Sequence, residues 1–300
     1  MFSVVVCTCN RAEKLANLLD SFMRMKVPDG ETWELIVVDN NSTDGTARLL
    51  DAFAANTTLP LRRCFEPRQG LAIAHNHALD VARGDVIAFT DDDCRVAPDW
   101  LAVIAREFGS DPQLCLLGGR VELFNPADRA ITIRTGRERL DLTGSNEALN
   151  VLIGCNFAFR RVLAEELGRF DIRFGVGCGT VPSADDTDFI YRFVRAGVRA
   201  VYSPDLVVLH DHGRATDAQV VALRQRYLQG RGGLYAKYIL QGDRNMLRLA
   251  YWEARKLIGG ALRRSERRAN LMALSFLLKG AGRFIRGRAS AREPPLPRRA

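Results

Sequence analysis

The stretch Val86-Ile87-Ala88-Phe89-Thr90-Asp91-Asp92-Asp93-Cys94 changes character in its middle, where an apolar run of strand composition ends in three consecutive carboxylates. Neighbouring carboxylates repel one another, and burying bare charge costs many kcal/mol. Positive charge should therefore sit at the end of this strand. Oxygen ligands at a strand mouth suit a hard divalent cation, Mg2+ or Mn2+, and such a cation suits a diphosphate. Taken alone, the triplet also reads as a polar turn in which Asp92 caps a helix, so the flanking segments have to decide.

Upstream, the same arrangement repeats. Phe2 to Cys7 is a fully apolar strand, and Asn10 followed by Glu13 marks a helix start with Leu15, Leu18, Leu19 and Phe22 on one face, which leaves Thr8, Asn10 and Arg11 in a strand-to-helix loop. Leu35 to Val38 is a second strand, ending in the polar run Asp39 to Thr46 that contains Asn41, and a helix follows. A third strand around Leu61 to Phe65 leads through Arg68, Gln69 and Gly70 into a helix from Leu71 to Arg83 that contains His75 and Asn76 and that Gly84 closes. Strands alternating with helices predict an α/β fold with a mostly parallel sheet, and ligands bind such sheets at the carboxyl ends of the strands.

Downstream, Pro98 suits a helix N1 position ahead of Trp100, Leu101, Ile104 and Phe108. Leu114 to Val121 reads as a strand, and the polar stretch from Asn125 to Asn150 as a mobile loop over the site. Asn156 to Arg161 is a strand feeding a helix. A glycine-rich loop containing Gly177 precedes Asp185, Asp186, Thr187 and Asp188 at the head of another helix, where carboxylates are also favoured by the helix dipole alone. Short strands at Ala200 to Tyr202 and Leu206 to Leu209 lead into His210-Asp211-His212.

Composition narrows the class. A chain of 300 residues with 47% apolar residues supports a full core. Nothing ahead of Phe2 has room for a secretory signal, and no apolar run reaches the roughly 18 residues of a spanning helix, so the expected location is the cytoplasm. The seven cysteines are scattered without a CxxC pair and read as reduced packing residues. The sequence has no Gly-x-Gly-x-x-Gly after the first strand and no P-loop lysine, so phosphate chemistry would rest on a metal.

These pieces make one chemistry. A metal held by Asp93, with Asp91 nearby, would neutralise charge building on a diphosphate leaving group, and His210 as a neutral imidazole would complete its shell, with His212 as the other candidate. Asp186, free of the metal, would act as general base on an acceptor hydroxyl; an ordinary aspartate, with a pKa near 3.9, is a weak base, so the role calls for partial desolvation. Asp39 is placed to accept a hydrogen bond from a nucleobase N–H.

The residues carrying this reading resemble family 2 glycosyltransferases of the GT-A fold. The likeness runs through Val4 to Arg11, Val37 to Thr46, Gly70 to Asn76 and Phe89 to Asp93, the last as the DxD motif, and on to Asn156 to Arg161 and Asp185 to Asp188 as acceptor-side motifs. It spans roughly Phe2 to His212. The resemblance implies an inverting transfer from a nucleotide-diphosphate sugar. Thr8, Asn10, Arg11, Asp39, Asn41, Gly70, Asn76, Asp91, Asp92 and Asp93 would serve the nucleotide sugar, and Asn156, Gly177 and Asp185 the acceptor side. Two positions depart from the family pattern: Asp185 stands where a Glu is usual, and His75 where an Arg is common. The Gln-x-x-Arg-Trp motif of processive synthases is not found, which points to single additions.

The expected organisation is a catalytic domain over residues 1–215, with a nucleotide-sugar half at 1–120 and an acceptor half at 121–215, then a basic helical extension at 216–300. The charge of +8 is concentrated in that extension, from Arg255 and Lys256 through Arg263, Arg264, Arg267, Arg268, Lys279, Arg283 and Arg286 to Arg288, Arg292, Arg298 and Arg299. Its segments Arg224 to Tyr238, Met246 to Arg263 and Asn270 to Ile285 read as helices, the last two amphipathic, and either lie on an anionic membrane surface or pack on the catalytic domain. No nucleic-acid module accompanies the charge. The leading expectation is a metal-dependent transferase acting on a saccharide or lipid-linked saccharide in surface polysaccharide or glycolipid assembly. The rivals are a nucleotidyltransferase that makes nucleotide sugars and a catalytically idle nucleotide-binding protein.

Overall fold

The computed structural model describes residues 1–287. The Pro-rich end expected at 293–298, with Arg288, Arg292, Arg298 and Arg299, lies outside the described residues.

The first four apolar runs are strands β1 (Phe2–Thr8), β2 (Trp33–Asp39), β3 (Leu61–Phe65) and β4 (Val86–Thr90), side by side and parallel in the order β3-β2-β1-β4. The helices α1 (Ala12–Met23), α2 (Thr46–Asn56) and α3 (Leu71–Val81) connect them. Successive side chains of a strand point to opposite faces. Val4 and Val6 accordingly join Leu15, Leu18 and Phe22 in one core, while Val5 and Cys7 join Ala74 and Ala78 in another. Burial on both faces explains why β1, β2 and β4 are largely apolar, whereas the edge strand β3 carries Arg62 and Arg63.

The remaining strands, β5 (Cys94–Val96), β6 (Leu114–Leu123), β7 (Leu140–Asp141), β8 (Asn156–Arg160) and β9 (Arg199–His210), continue the sheet in the order β4-β8-β6-β9-β5, with β7 also on β9. β8 runs antiparallel to both β4 and β6, and β9 runs parallel to β6. The helices of this half are α4 (Trp100–Ser110), α5 (Ala148–Val151), α6 (Val162–Glu166) and α7 (Asp185–Ala196). Phe89, Phe157, Phe159, Phe170, Phe189 and Phe193 pack into one aromatic cluster that seats α7 on the sheet, with Phe170 and Phe189 stacked at 4.2 Å.

Local details differ from the sequence reading. The two short strands expected at 200–202 and 206–209 are one strand, β9, whose register against β6 jumps between Gly119 and Arg120, where Pro204 would otherwise interrupt the ladder. The 125–150 segment contains β7 and α5 and buries Asp128, Leu142 and Ala148, so it is tied into the body over much of its length. Asn10 does not cap α1; at φ 55° it turns its side chain to the loop after β2. Pro98 precedes the cap residue Asp99 rather than standing at N1.

Three helices follow: α8 (Asp217–Leu240), α9 (Arg244–Ala261) and α10 (Arg267–Gly287). Thr216 and Gln219 form a reciprocal capping box at the start of α8. Gly232 of α8 lies against the Leu277 carbonyl and Gly280 of α10 against the Gln229 carbonyl, so that a Cβ at either would stand 1.9 Å from an oxygen. Only glycine permits that approach. Lys237 of α8, 2% exposed, reaches both Asp171 (2.9 Å) and Asp188 of α7 (2.6 Å), while Arg173 and Arg192 also face these carboxylates. Phe174, Tyr191, Leu234, Tyr238, Met246 and Phe284 fill a third core between α7 and these helices.

Candidate active site

The carboxyl ends of β1 and β4, the start of α7, the end of β9 and faces of α8 and α9 surround a cavity of about 1310 Å³. Strand pairing assembles its charged wall. β5 lies antiparallel to β9 with Cys94 opposite His210, which sets His210 Nε2 3.2 Å from Asp93 Oδ1.

Asp92 accepts hydrogen bonds from Thr8 Oγ1 (2.8 Å) and Arg11 Nη1 (2.9 Å), and the same guanidinium lies 2.8 Å from Asp93 Oδ2. His210 and Arg11 hold the Asp93 carboxyl well below the usual carboxylate range despite its burial. Burial alone would depress the His210 imidazole, yet the adjacent Cys155 sulfur and hydrogen-bonded Asp93 push it up to about 9. Burial, followed by the charge of Asp93, pushes Asp91 up to about 7. Two cations thus face three carboxylates, and Asp91 carries the shortfall.

That shortfall fits a divalent ion. Among the described residues no hydrogen bond ends on the Asp91 side chain, and buried His210 Nδ1 has no partner. Ligand atoms of Asp93, Cys94 and His210 lie within 4.8 Å of one another. The Asp93 carboxylate and the His210 ring of that cluster suit Mn2+ or Mg2+; Asp91 is outside it, and because His210 is pushed up to about 9 rather than being the neutral imidazole expected from the sequence, an ion there would have to displace its proton. His212 faces another partner through Nδ1, which is 3.5 Å from Asp128 and accepts from the Arg214 N–H, while its buried Nε2, like His210 Nδ1, has no partner among the described residues.

The head of α7 supplies two carboxyls with different surroundings. Asp185 is buried 3.7 Å from His75 Nδ1. Burial and the Asp186 charge push Asp185 up to about 8, and burial pushes His75 down to about 3, so near pH 7 the two meet as largely neutral groups rather than as an ion pair. Asp186 Oδ1 accepts from the N–H (2.7 Å) and hydroxyl of Thr187, which fixes its rotamer. Its other oxygen faces Gly154, where a Cβ would stand only 2.5 Å away.

Thr8, Arg11, Gly70, the Asp91–Asp93 triplet, Gly177, Asp185, Asp186 and His210 all line the cavity. Gly70 and Gly177 touch through backbone, and Leu71 N–H donates to the Val176 carbonyl at 2.9 Å. Asn10, Asp39, Asn41, Asn76 and Asn156 do not line it. Asn10 Oδ1 accepts from the N–H groups of Thr43 and Asp44 and clamps two loops together, while Asp39 Oδ1 accepts from the Ser42 N–H three residues on. Asn76 makes both of its bonds to the backbone of Phe170. Asn156 is fully buried, donating to the Arg120 and Leu206 carbonyls and accepting from Trp100 Nε1, so it ties β8 to β6, β9 and α4.

Asn40 was not singled out by the sequence, yet it lines the cavity, donating to the Glu66 and Arg68 carbonyls and accepting from Gly70 N–H. The far wall comes from Arg226, Tyr227 and Arg231 of α8 and Trp252 and Lys256 of α9. Their helical spacing announces helices but not which face meets a site some 40 residues earlier in the chain.

The sequence profile of Glycosyl transferase family 2 matches residues 3–168, and that of Glycosyl transferase family group 2 matches residues 86–278. Succinoglycan biosynthesis protein ExoM of Rhizobium meliloti is 30% identical over 236 residues, covering 77% of this chain and 74% of that protein. Among solved structures, the mannosyltransferase PcManGT of Pyrobaculum calidifontis, in complex with GDP-Man and Mn2+, superposes with a TM-score of 0.64 at 24% identity, over 95% of this chain and 86% of that one. S. aureus TarS 1–349 in complex with UDP-GlcNAc gives 0.65 at 20% identity, over 93% and 81%. The fold is that of these GT-A glycosyltransferases.

Proposed function

We propose a reaction for this chain, which belongs to glycosyl transferase family 2 and is a glycosyltransferase: transfer of one sugar, with inversion, from a nucleotide-diphosphate sugar to a hydroxyl of a saccharide or lipid-linked saccharide. The observation that carries it is the position of Asp186 and of the Asp91–Asp93/His210 cluster on the wall of one cavity.

A divalent ion held by Asp93 and Asp91, with His210 as nitrogen ligand once its proton is displaced, would supply Lewis-acid stabilisation of the leaving diphosphate. PcManGT, similar in fold, has Mn2+ in its complex, which supports a divalent ion without fixing its identity here. Thr8 and Arg11 hold Asp92 at the base of the site. Asp186 takes the proton of the acceptor hydroxyl as its oxygen attacks the anomeric carbon, and the bond from that carbon to the diphosphate oxygen breaks on the opposite face. Thr187 holds the carboxylate so that one oxygen stays free for that proton. Asp185 and His75, both neutral, pack behind it without competing for the proton. Asn10, Asp39 and Asn76 act on the donor through the loops they brace, Asn41 through the left-handed turn it makes at φ 60°, and Asn156 shapes the acceptor side from within the sheet.

The arginine-lined far wall, with apolar Leu223, Leu234 and Leu249 beside it, supports an acceptor that is part anionic and part apolar, as in surface polysaccharide or glycolipid assembly. The test is a panel of UDP-, GDP- and dTDP-sugars with and without Mn2+, read by thermal shift and by sugar release. One donor should stabilise the protein and be hydrolysed only with metal present. Asp186→Asn should retain that stabilisation and lose turnover. Indifference of the wild-type protein to every donor would overturn the reading.

A further inference from the structure

We infer that α9 and α10 form a docking surface for an anionic lipid bilayer, lying in its interface rather than crossing it. On α9, Leu247, Tyr251, Ile258 and Leu262 recur on one side of the helix, and Arg244, Arg248 and Arg255 form the adjoining stripe. On α10, Leu271, Leu278 and Ile285 recur every seven residues, with Arg268, Lys279 and Arg286 beside them. All of these side chains are exposed, Leu262 to 85% and Leu278 to 72%. Folding does not need the exposed stripe of α10, because Leu277, Gly280 and Phe284 already seat this helix on α8 and the third core.

Charge complementarity selects the occupant. From Arg244 to Gly287 there are eleven arginines and lysines against two glutamates. Glu253 is held by Arg231 and Tyr235, and Glu266 pairs with Arg263. Among the described residues no other cation of this stretch is in an ion pair. An apolar stripe edged with such cations matches the boundary of acyl chains and anionic headgroups. A second copy of the chain would set two uncompensated basic faces against each other, and nucleic acid would leave the leucines without a partner. No described helix is long and apolar enough to cross a membrane, which fits an interfacial role. Trp252 and Lys256 belong to the exposed part of α9 and also line the cavity, so the docked face adjoins the entrance to the site. This last point alone rests on the reaction proposed above.

The test is flotation of the full chain with phosphatidylcholine vesicles, with and without about one third phosphatidylglycerol, at low and high salt. Binding should require the anionic lipid and weaken with salt. Arg248→Gln/Arg255→Gln/Arg268→Gln should weaken it roughly 100-fold, three cations each contributing at the surface. Ile258→Glu/Leu262→Glu/Leu278→Glu should abolish it. None of these six residues lines the cavity, so both variants should keep wild-type donor hydrolysis. Equal binding to neutral vesicles, no binding to either kind, or an apolar variant that only dissolves a dimer seen by sedimentation would each overturn the inference. Failure of donor hydrolysis in the wild-type protein would overturn the proposed reaction and leave the lipid result standing.

Discussion

Gly154→Ala isolates the placement of Asp186 from its chemistry. A Cβ at residue 154 would stand 2.5 Å from Asp186 Oδ2, 2.9 Å from its Cβ and 3.0 Å from its Cγ. Restoring ordinary contact takes a shift of about 1 Å. Rotation of the carboxylate is opposed by Thr187, whose N–H and hydroxyl both hold Oδ1, so the whole side chain has to retreat. A misplacement of about 1 Å costs on the order of 100-fold in rate, or about 2.7 kcal/mol of barrier. Donor affinity should stay within about twofold, because the triplet and Arg11 are untouched. Asp186→Asn should cost about 10²–10⁴-fold. The double variant should be no slower than Asp186→Asn, because both changes remove one function. The assay is steady-state transfer with donor affinity measured separately and circular dichroism confirming the fold. A Gly154→Ala enzyme with full kcat, or a double variant showing the product of the two losses, would refute the placement of Asp186 as the base.

Other expectations test separate parts of the molecule. His210→Ala should raise the Mn2+ concentration for half-maximal activity at least about tenfold, whereas His212→Asn should leave it unchanged, because only His210 adjoins Asp93; a metal titration of activity decides. Lys237→Met leaves two buried carboxylates with one fewer cation and should cost about 3–5 kcal/mol of stability by urea unfolding, less if Arg173 and Arg192 shift to compensate. The Glu66 carboxyl is lowered to about 2, chiefly by its hydrogen bonds from Arg68. A depressed folded pKa stabilises above the unfolded value and is lost on acidification, so Glu66→Gln should flatten the fall in stability between pH 4.5 and pH 2. Urea midpoints at several pH values across that window give the comparison.

The parallel half of the fold was legible because β1, β2 and β4 are apolar on both faces and each stops at a polar loop. The triplet at the end of β4 was legible for the same reason: charge directly after a buried strand has few places to go. Asn156 illustrates what was not. An asparagine at a strand start looks the same whether it faces a ligand or satisfies carbonyls, and its partners Trp100, Arg120 and Leu206 are distant in sequence. Asn40, between Asp39 and Asn41, was masked by neighbours with equal claims. The strands read at 200–202 and 206–209 are one, because the jump in register that accommodates Pro204 depends on the partner strand. The helices after residue 216 were legible as helices, but their contribution to the cavity depends on Gly232 and Gly280 setting α8 and α10 at backbone contact.

Lys237 gives this architecture a practical limit. The proposed general base stands on α7, and Asp188, one turn of chain from its start, is balanced by a cation that the sequence delivers from α8. Cutting the chain after residue 215 would remove that cation together with Leu234, Tyr238, Met246 and Phe284, leaving Phe174 and Tyr191 bare beside Asp171 and Asp188, so a truncated enzyme should swell and precipitate rather than work slowly. Chimaeras that graft residues 1–215 onto another tail would have to carry the lysine across the junction.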